Sequence, residues 1–242
     1  QVELVKILIS DRPDMLRTAY ELGITKQFIP EFDLLMETGQ ETPHHMYTVG
    51  EHTLHALKNV RPNRILRLTM LLHDMGKPEY KTVDETGQAH FKKHAIGSER
   101  IAKDILRRLK FDNDTIRTVS RLVLYHDYRM PAEAKNVRKA MNKIGEDIFP
   151  YYMEVRRADV LAQSTYLREQ KLKNLDDIEA LYAQIKEKKQ CVSLKELAVS
   201  GSDLIAIGIK PGKEIGEILN RLLELVIENP ELNKEEMLLK RA

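Results

Sequence analysis

The chain has 242 residues, of which 42% are hydrophobic and 31% are charged, and its formal net charge is only +2. These values predict one globular core with appended segments and exclude a largely disordered chain. Cys191 is the only cysteine, which excludes an internal disulfide and favours a cytoplasmic location. No apolar stretch is long enough to span a bilayer, so no membrane partner is expected.

Hydrophobic periodicity and helix-end signals predict an all-α fold. Two short helices are predicted at residues 2–8 and 14–22, and an acidic, Gly/Pro-punctuated connection over residues 29–43. Further helices are predicted after Thr48 and over residues 64–75, 94–109, 115–126, 135–144, 151–166, 176–189 and 212–228. Residues 82–91 are expected to form a small loop or hairpin, and no convincing series of strands is present.

The helix after Thr48 carries the clearest local signal. Thr48 and Glu51 form a predicted capping box, in which Thr48 is the N-cap and the Glu51 side chain reaches back to its amide. The helix that follows places Val49, His52 and Ala56 on one face. A histidine therefore falls on an otherwise apolar surface.

Most of a set of six potential metal ligands fall on the apolar faces of predicted helices. They are His52, His73, Asp74, His94, His126 and Asp159. Burying an unpaired imidazole or carboxylate is costly, so such groups need hydrogen bonds, counter-charges or a metal ion. A centre with one or two ions would satisfy all six. The competing explanation is a hydrogen-bonded core histidine in each case and, for Asp159, a salt bridge to Arg156 or Arg157.

The types of ligand indicate the chemistry. Imidazoles and carboxylates without thiolate favour Mg²⁺, Mn²⁺, Fe²⁺ or Ni²⁺ over structural zinc. Such an ion activates water and neutralises phosphoryl oxygens, so a phosphoester or nucleotide substrate is expected. Asp74 and Lys77 are the predicted catalytic residues, with Lys77 near the developing phosphate charge. The alternative for Lys77 is a cation that interacts with the dipole at a helix C-terminus.

The order His52, His73-Asp74 and Asp159 resembles the HD superfamily of metal-dependent phosphohydrolases. With His94 and His126, it looks like the members that hold two metals bridged by the aspartate. Residues 44–54, 71–78, 90–94 and 204–213 resemble the HD region of bacterial CCA-adding tRNA nucleotidyltransferases. The likeness covers nearly the whole chain.

The resemblance implies a neck-like helical segment at residues 1–40, an HD-domain helical bundle at 41–166 and a helical tail at 167–242 that contacts tRNA. It also implies phosphatase or 2′,3′-cyclic phosphodiesterase activity. In that family an N-terminal head adds nucleotides, using a Gly-Ser loop and a pair of aspartates on a strand. Neither is found here at a suitable spacing, so nucleotide addition by this chain alone is not expected. A non-catalytic tRNA-binding module with a vestigial metal site is the alternative.

A candidate nucleic-acid surface lies near the start of the last long predicted helix. Lys210, Gly212 and Lys213 would place free backbone amides and two cations beside a phosphate. Arg107 and Arg108 would extend a basic face within a stretch rich in Lys and Arg. The competing explanation is a plain turn with solvated side chains.

Overall fold

The computed structural model describes residues 1–42 and 46–242. Pro43, His44 and His45 lie outside the described residues, and the two histidines belong to the first resembling segment. Helices dominate, and the strands found among the described residues are Thr82–Val83 and Ala89–His90, which pair antiparallel. The predicted all-α class is confirmed, and the predicted hairpin is present. The chain divides into two compact units, residues 1–129 with 148–175 and residues 130–147 with 176–242.

The first unit contains most of the helices. They are α1 (Val2–Ile9), α2 (Met15–Glu21), α3 (Pro30–Glu37), α4 (Val49–Lys58), α5 (Arg64–Leu72), α6 (Lys77–Tyr80), α7 (His94–Arg108), α8 (Asn113–Tyr125) and α10 (Phe149–Ala162). The second unit contains α9 (Ala134–Ile144), α12 (Gly201–Ala206), α13 (Lys213–Glu228) and α14 (Glu235–Leu239). Helix α11 (Arg168–Glu187) contributes residues to both units.

Helix α5 forms the centre of the first unit. Its residues from Leu66 to Leu72 are all buried, as in a helix surrounded by others. Arg67 is buried among them, and its guanidinium donates to the carbonyls of Val60, Arg61 and Leu8. Since the charged group is satisfied by three carbonyl oxygens, α5 can carry it through the core. The residues that follow α5 therefore emerge in the interior of the unit.

Side-chain caps begin both α4 and α5. Thr48 Oγ1 accepts the Glu51 amide at 3.2 Å, and the Asn63 side chain accepts the amides of Ile65 and Leu66. Thr48 is thus the N-cap that the sequence predicts. The Glu51 carboxylate binds Arg17 instead of the N-cap amide, so the second half of the predicted capping box is wrong.

Several parts of the chain differ from the sequence prediction, including α11, which begins at Arg168 rather than at residue 176. Residues 30–37 form α3, with Pro30 at its first position, although the acidic composition suggested a connection. Proline at the first helical position loses no hydrogen bond, so it begins this helix rather than preventing one. Helix α5 ends at Leu72, and a separate short helix begins at Lys77.

The second unit has its own apolar cluster. It includes Cys191, Leu204, Leu222, Val226 and Leu238. Arg138 is buried in this unit and donates to the carbonyl oxygens of Ile227 at 2.7 Å and Glu228 at 3.2 Å, which closes the end of α13. Among the described residues, every helix is too short or too polar for a bilayer span.

Candidate metal centre

The six predicted ligands come together inside the first unit. His52 lies on α4, His73 and Asp74 directly follow α5, His94 begins α7, His126 directly follows α8 and Asp159 lies on α10. All six side chains are buried. Residues up to 107 positions apart in the sequence are thereby brought within hydrogen-bonding distance.

Asp74 divides the cluster into two groups. Its Oδ2 lies 3.1 Å from His73 Nε2 and 3.7 Å from His52 Nε2. Its Oδ1 lies 3.2 Å from His94 Nε2 and 3.5 Å from His126 Nε2. Each triad has ligand atoms that all lie within 4.8 Å of one another, which is close enough to share one ion.

Asp159 adds a fourth potential ligand beside His52, His73 and Asp74. Its Oδ1 lies 3.0 Å from His52 Nε2 and 3.9 Å from His73 Nε2. We call His52, His73, Asp74 and Asp159 the first group, and Asp74, His94 and His126 the second group. Asp74 is common to both, with one oxygen facing each.

The histidines share one orientation. Nδ1 of His73, His94 and His126 lies 2.7, 2.8 and 2.7 Å from the carbonyl oxygen three residues earlier, and Nδ1 of His52 lies 3.3 Å from the Ala162 carbonyl oxygen. Since a carbonyl oxygen only accepts, each Nδ1 carries the proton that is donated to it. Nε2, the other nitrogen of the ring, faces the cluster in all four residues. Metal-binding histidines are commonly held in this way.

The contacts inside the cluster are incomplete without a cation. Nε2 of His52 and His73 are 3.4 Å apart, and Nε2 of His94 and His126 are 3.1 Å apart. Two neutral imidazoles with this tautomer would bring lone pairs together at those distances. Among the described residues, neither buried oxygen of Asp74 accepts a hydrogen bond of good geometry. The donor set and its unsatisfied atoms fit a divalent ion.

Electrostatics keep the carboxylates ionised. Burial alone would raise the pKa of Asp74, but the charges of His73 and Lys77 hold it well below its usual range. Burial would likewise raise the pKa of Asp159, yet the hydrogen bond and charge of His52 hold it well below the usual value. Anionic oxygens are the form that binds a divalent ion.

The pKa values of His73 and His126 are shifted in opposite directions. Burial lowers the pKa of His73, but the attraction of Asp74 and Asp159 together outweighs burial, so the net shift is upward. In the second group, burial lowers the pKa of His126, and this effect exceeds the attraction of the nearby Asp74 carboxylate. His126 therefore favours the neutral form that a metal requires.

Lys77 is held by two buried partners. Its Nζ lies 2.8 Å from Asp74 Oδ2 and donates to Gln40 Oε1 at 2.7 Å. Gln40 also donates from Nε2 to the Tyr47 carbonyl oxygen at 3.3 Å. The ammonium thus faces the cluster from the first residue of α6, so the alternative of a cation at the end of α5 is wrong. Gln40 was missed because a glutamine in an irregular stretch carries no spacing signal.

Gly76 allows α7 to bring His94 to the cluster. A Cβ at this position would lie 2.5 Å from the His94 carbonyl oxygen and 2.5 Å from the Ser98 amide nitrogen. The Gly76 amide donates to Ser98 Oγ at 2.9 Å. The backbone that follows Asp74 and the first turn of α7 are therefore in direct contact, and only glycine leaves room for it.

The second oxygen of Asp159 faces away from the histidines. Gln163 Nε2 donates to Oδ2 at 2.9 Å, and Arg156 Nη1 lies 3.5 Å from the same oxygen. Arg156 also donates to the His126 carbonyl oxygen at 3.0 Å. The salt bridge considered as an alternative for Asp159 is therefore present, but it engages Oδ2 and leaves Oδ1 to the cluster. The spacing of three and four residues on α10 is the signal that identifies both partners.

The predicted nucleic-acid residues occupy different surroundings. Lys210 and Lys213 are exposed, with Gly212 as the N-cap of α13. Arg107 is exposed on α7. Arg108 forms a bidentate ion pair with Glu31 at 2.9 and 2.8 Å, so its guanidinium is already engaged. A role of these residues in binding RNA stays a prediction.

Comparison with known proteins identifies the family. A family model for tRNA nucleotidyltransferase domain 2 matches residues 89–242, well over half of the chain. The chain belongs to this family. It is 31% identical to the CC-adding tRNA nucleotidyltransferase of Thermus thermophilus, a match that covers 97% of this chain and 54% of that protein. The predicted resemblance to the body and tail of CCA-adding tRNA nucleotidyltransferases is thereby confirmed.

Members of a second class of enzyme also match. The chain is 30% identical over 133 residues to the bifunctional uridylyltransferase/uridylyl-removing enzymes of Ruegeria pomeroyi and Cereibacter sphaeroides. These matches cover 46% of this chain and 13% of either protein. The chain spans about half the length of the Thermus tRNA nucleotidyltransferase.

Proposed function

We propose that the first unit is a metal-dependent phosphohydrolase of the HD type, with phosphatase or 2′,3′-cyclic phosphodiesterase activity. The observation that carries this proposal is the common orientation of four histidines around Asp74. Their Nδ1 atoms face backbone carbonyl oxygens and their Nε2 atoms face two ionised carboxylates. A core of satisfied histidines would not need four Nε2 atoms and two carboxylates at one point.

The first group and the second group would hold the ion or ions. A divalent ion bound there supplies a Lewis acid that activates water and offsets charge on a phosphoester. Asp74, with one oxygen facing each group, would hold both halves of the centre together. Asp159 stays ionised and keeps His52 oriented through its Oδ1.

Lys77 supplies a fixed positive charge beside the reacting phosphate. Its ammonium is buried and held by Asp74 and Gln40, so it needs little rearrangement to offset negative charge that develops on phosphoryl oxygens. The surrounding helices exclude bulk water, which strengthens this interaction. Gln40 would act as a positioning residue, because it holds Lys77 without itself reaching the cluster.

The test is turnover of 2′,3′-cyclic AMP and of a simple phosphomonoester by metal-free protein supplied with Mn²⁺, Ni²⁺ or Mg²⁺. We expect metal-dependent hydrolysis that falls more than about 100-fold in Asp74→Asn, since the loss of several kcal/mol of metal stabilisation is expected. The control is Asp104→Asn, which removes the same charge from an exposed site on α7. Unchanged turnover in folded Asp74→Asn would contradict the proposal.

A second candidate function is tRNA binding without catalysis. The exposed pair Lys210 and Lys213 flanks the N-cap of α13 in the second unit, in a member of a tRNA nucleotidyltransferase family. In this case the metal centre would be structural.

This function predicts salt-dependent tRNA binding. The double variant Lys210→Ala/Lys213→Ala should reduce the slope of log affinity against log salt by about 2, roughly one for each phosphate contact. Lys188→Ala/Lys195→Ala is the control, because these exposed residues of the same unit remove equal charge. Identical salt slopes for the two double variants would contradict the proposed phosphate contacts of Lys210 and Lys213.

A further inference from the structure

Positive side chains border the metal centre on the outer side of Asp159. We call Arg129, Arg156, Arg168 and Lys171 the cationic rim. Arg156 Nη1 lies 3.5 Å from Asp159 Oδ2, the oxygen that faces away from the histidines. The rim therefore begins one carboxylate group away from the atoms that would hold the ion.

Gln163 connects two other members of the rim, Arg168 and Lys171, to this point. Its Nε2 donates to Asp159 Oδ2 at 2.9 Å, and its Oε1 accepts from Lys171 Nζ at 2.7 Å. Its backbone carbonyl oxygen accepts from Arg168 Nη2. One residue thus holds an ammonium and a guanidinium beside a metal-binding carboxylate. This arrangement is fixed by hydrogen bonds rather than left to long surface side chains.

The members of the rim are close enough to repel one another. Burial lowers the pKa of Lys171, and the charges of Arg129, Arg156 and Arg168 lower it further. The charge of Asp159 acts in the opposite direction but does not outweigh them. Like charges gathered at one place cost free energy unless an anion offsets them.

Two carboxylates that contact the rim are already shared. Asp127 Oδ1 accepts from Arg129 at 2.9 and 3.1 Å and lies 3.6 Å from Arg156 Nη1. Asp159 divides its charge between the rim and His52. One of these two carboxylates, Asp159, thus faces the proposed metal centre as well as the rim.

One donor of the rim lacks an acceptor. Arg168 Nε is buried and has no hydrogen-bond partner among the described residues. A buried N–H without an acceptor is costly, and a phosphate oxygen is the acceptor that best matches a guanidinium. Arg129 is two-thirds exposed, with 67% of its side-chain surface accessible, so the rim can be reached from solvent.

We propose that the cationic rim binds a second phosphate of the substrate while the metal centre holds the reacting one. This proposal rests on the proposed phosphohydrolase function and narrows it to substrates with two phosphate groups. The second phosphate of the substrate is either a 5′-phosphate on the reacting nucleotide or the internucleotide phosphate of a longer chain. A mononucleoside 2′,3′-cyclic phosphate would leave the rim empty and be a poorer substrate.

The test compares three substrates that share one reacting group. They are 2′,3′-cyclic AMP, its 5′-phosphorylated form, and the dinucleotide ApA with a 2′,3′-cyclic phosphate end. We expect kcat/KM to rise about tenfold or more for at least one of the last two, as for a charge-assisted contact to phosphate. The substrate that shows the rise identifies the source of the second phosphate.

Substitution then assigns the preference to the rim. In Arg129→Gln/Lys171→Gln the ratio of kcat/KM values, two phosphates over one, should fall to near one. The control Arg117→Gln removes an exposed arginine of α8 and should keep the wild-type ratio. A purely structural role of the rim would lower all rates together and leave the ratio unchanged, which would overturn the proposal.

Binding separates the failure of this proposal from that of the phosphohydrolase function. Calorimetry compares adenosine 3′,5′-bisphosphate with adenosine 3′-monophosphate in wild type and in Arg129→Gln/Lys171→Gln. If wild type binds the bisphosphate more tightly than the monophosphate and the double variant does not, phosphate binding by the rim is supported. This result would hold even if no substrate is hydrolysed and the hydrolase proposal fails. If 2′,3′-cyclic AMP is hydrolysed but the bisphosphate and the monophosphate bind equally tightly, the proposed role of the rim is wrong and the phosphohydrolase proposal stands.

Discussion

The first group and the second group are built from the same kinds of ligand but differ in charge and burial. The first group has two carboxylates and two histidines with no exposed surface. The second group has two histidines and shares its carboxylate with the first, and His94 is 8% exposed. Because each additional carboxylate strengthens the binding of a hard cation, we expect the first group to hold an ion more tightly.

The comparison also separates two ways of positioning a ligand. In the first group, His52 and Asp159 come from α4 and α10 and orient each other directly. In the second group, His94 and His126 contact each other and Asp74, and the position of His94 depends on the close contact at Gly76. Substitutions at these places should therefore affect the two groups unequally.

The largest effect is expected from removing ligands one group at a time. Asp159→Asn should weaken Mn²⁺ binding at the tighter site by at least about 100-fold, since even changes around metal ligands cost about 10- to 100-fold. His126→Gln should weaken only the second, weaker site. Calorimetric titration of metal-free protein measures both sites. The same loss at both sites in each variant would mean that the groups are not separate.

A smaller effect is expected from Gly76→Ala. The added Cβ would force apart the backbone at His94 and Ser98, at a cost of about 1–3 kcal/mol for overpacking. Thermal unfolding should show this loss, and metal titration should show a weaker second site with the first site retained. The control Gly216→Ala adds a methyl group where no atom lies within 4 Å. Equal melting temperatures for the two variants would contradict the close contact.

The cap of α4 is expected to matter less. Thr48→Ala removes the acceptor of the Glu51 amide and should lower the free energy of unfolding by about 1 kcal/mol. His52 is also held by Asp159, so metal binding at the first group should change little. Thr48→Ser keeps the hydroxyl and should restore stability in denaturant titrations. Equal free energies of unfolding for the alanine and serine variants would show that the Thr48 cap does not stabilise α4.

The smallest effect is expected at the start of α8, the helix that ends beside His126. Hydrogen bonds from the backbone and side chain of Thr115, together with Arg64, lower the pKa of Asp112 to about 2. A lowered pKa in the folded state stabilises the protein above the ordinary value, and this contribution disappears as the pH falls towards 2. Asp112→Asn should therefore flatten the loss of stability below about pH 4. If the free energy of unfolding, measured by denaturant titration, falls as steeply with pH in the variant as in the wild type, this prediction is wrong.

The sequence predicted the fold class and the six clustered residues because both depend on periodic patterns. His126 and Asp159 continue apolar faces of long helices, and the structure brings them to one point. Short elements were less predictable: α3 begins at Pro30 within an acidic stretch, and its helical state depends on packing against α4. Propensity alone does not report such packing.

The surroundings of the centre were less predictable than its ligands. Gln40 contacts Lys77 across 37 positions of sequence, and no local pattern relates the two. A salt bridge from Asp159 to Arg156 was one of several alternatives in the sequence, and the spacing of three residues lets Arg156 reach the outer oxygen. The outer contacts depend on rotamers and on which oxygen faces which side, and a sequence pattern does not specify either.

Anomalous diffraction from crystals soaked in Mn²⁺ tests the central claim most directly. We expect a strong peak between Asp74 Oδ2, Asp159 Oδ1 and the Nε2 atoms of His52 and His73. Any second peak, beside His94 and His126, should be weaker. A cluster that shows no peak, with its carboxylates closed off by Lys77 and Arg156 alone, would contradict it.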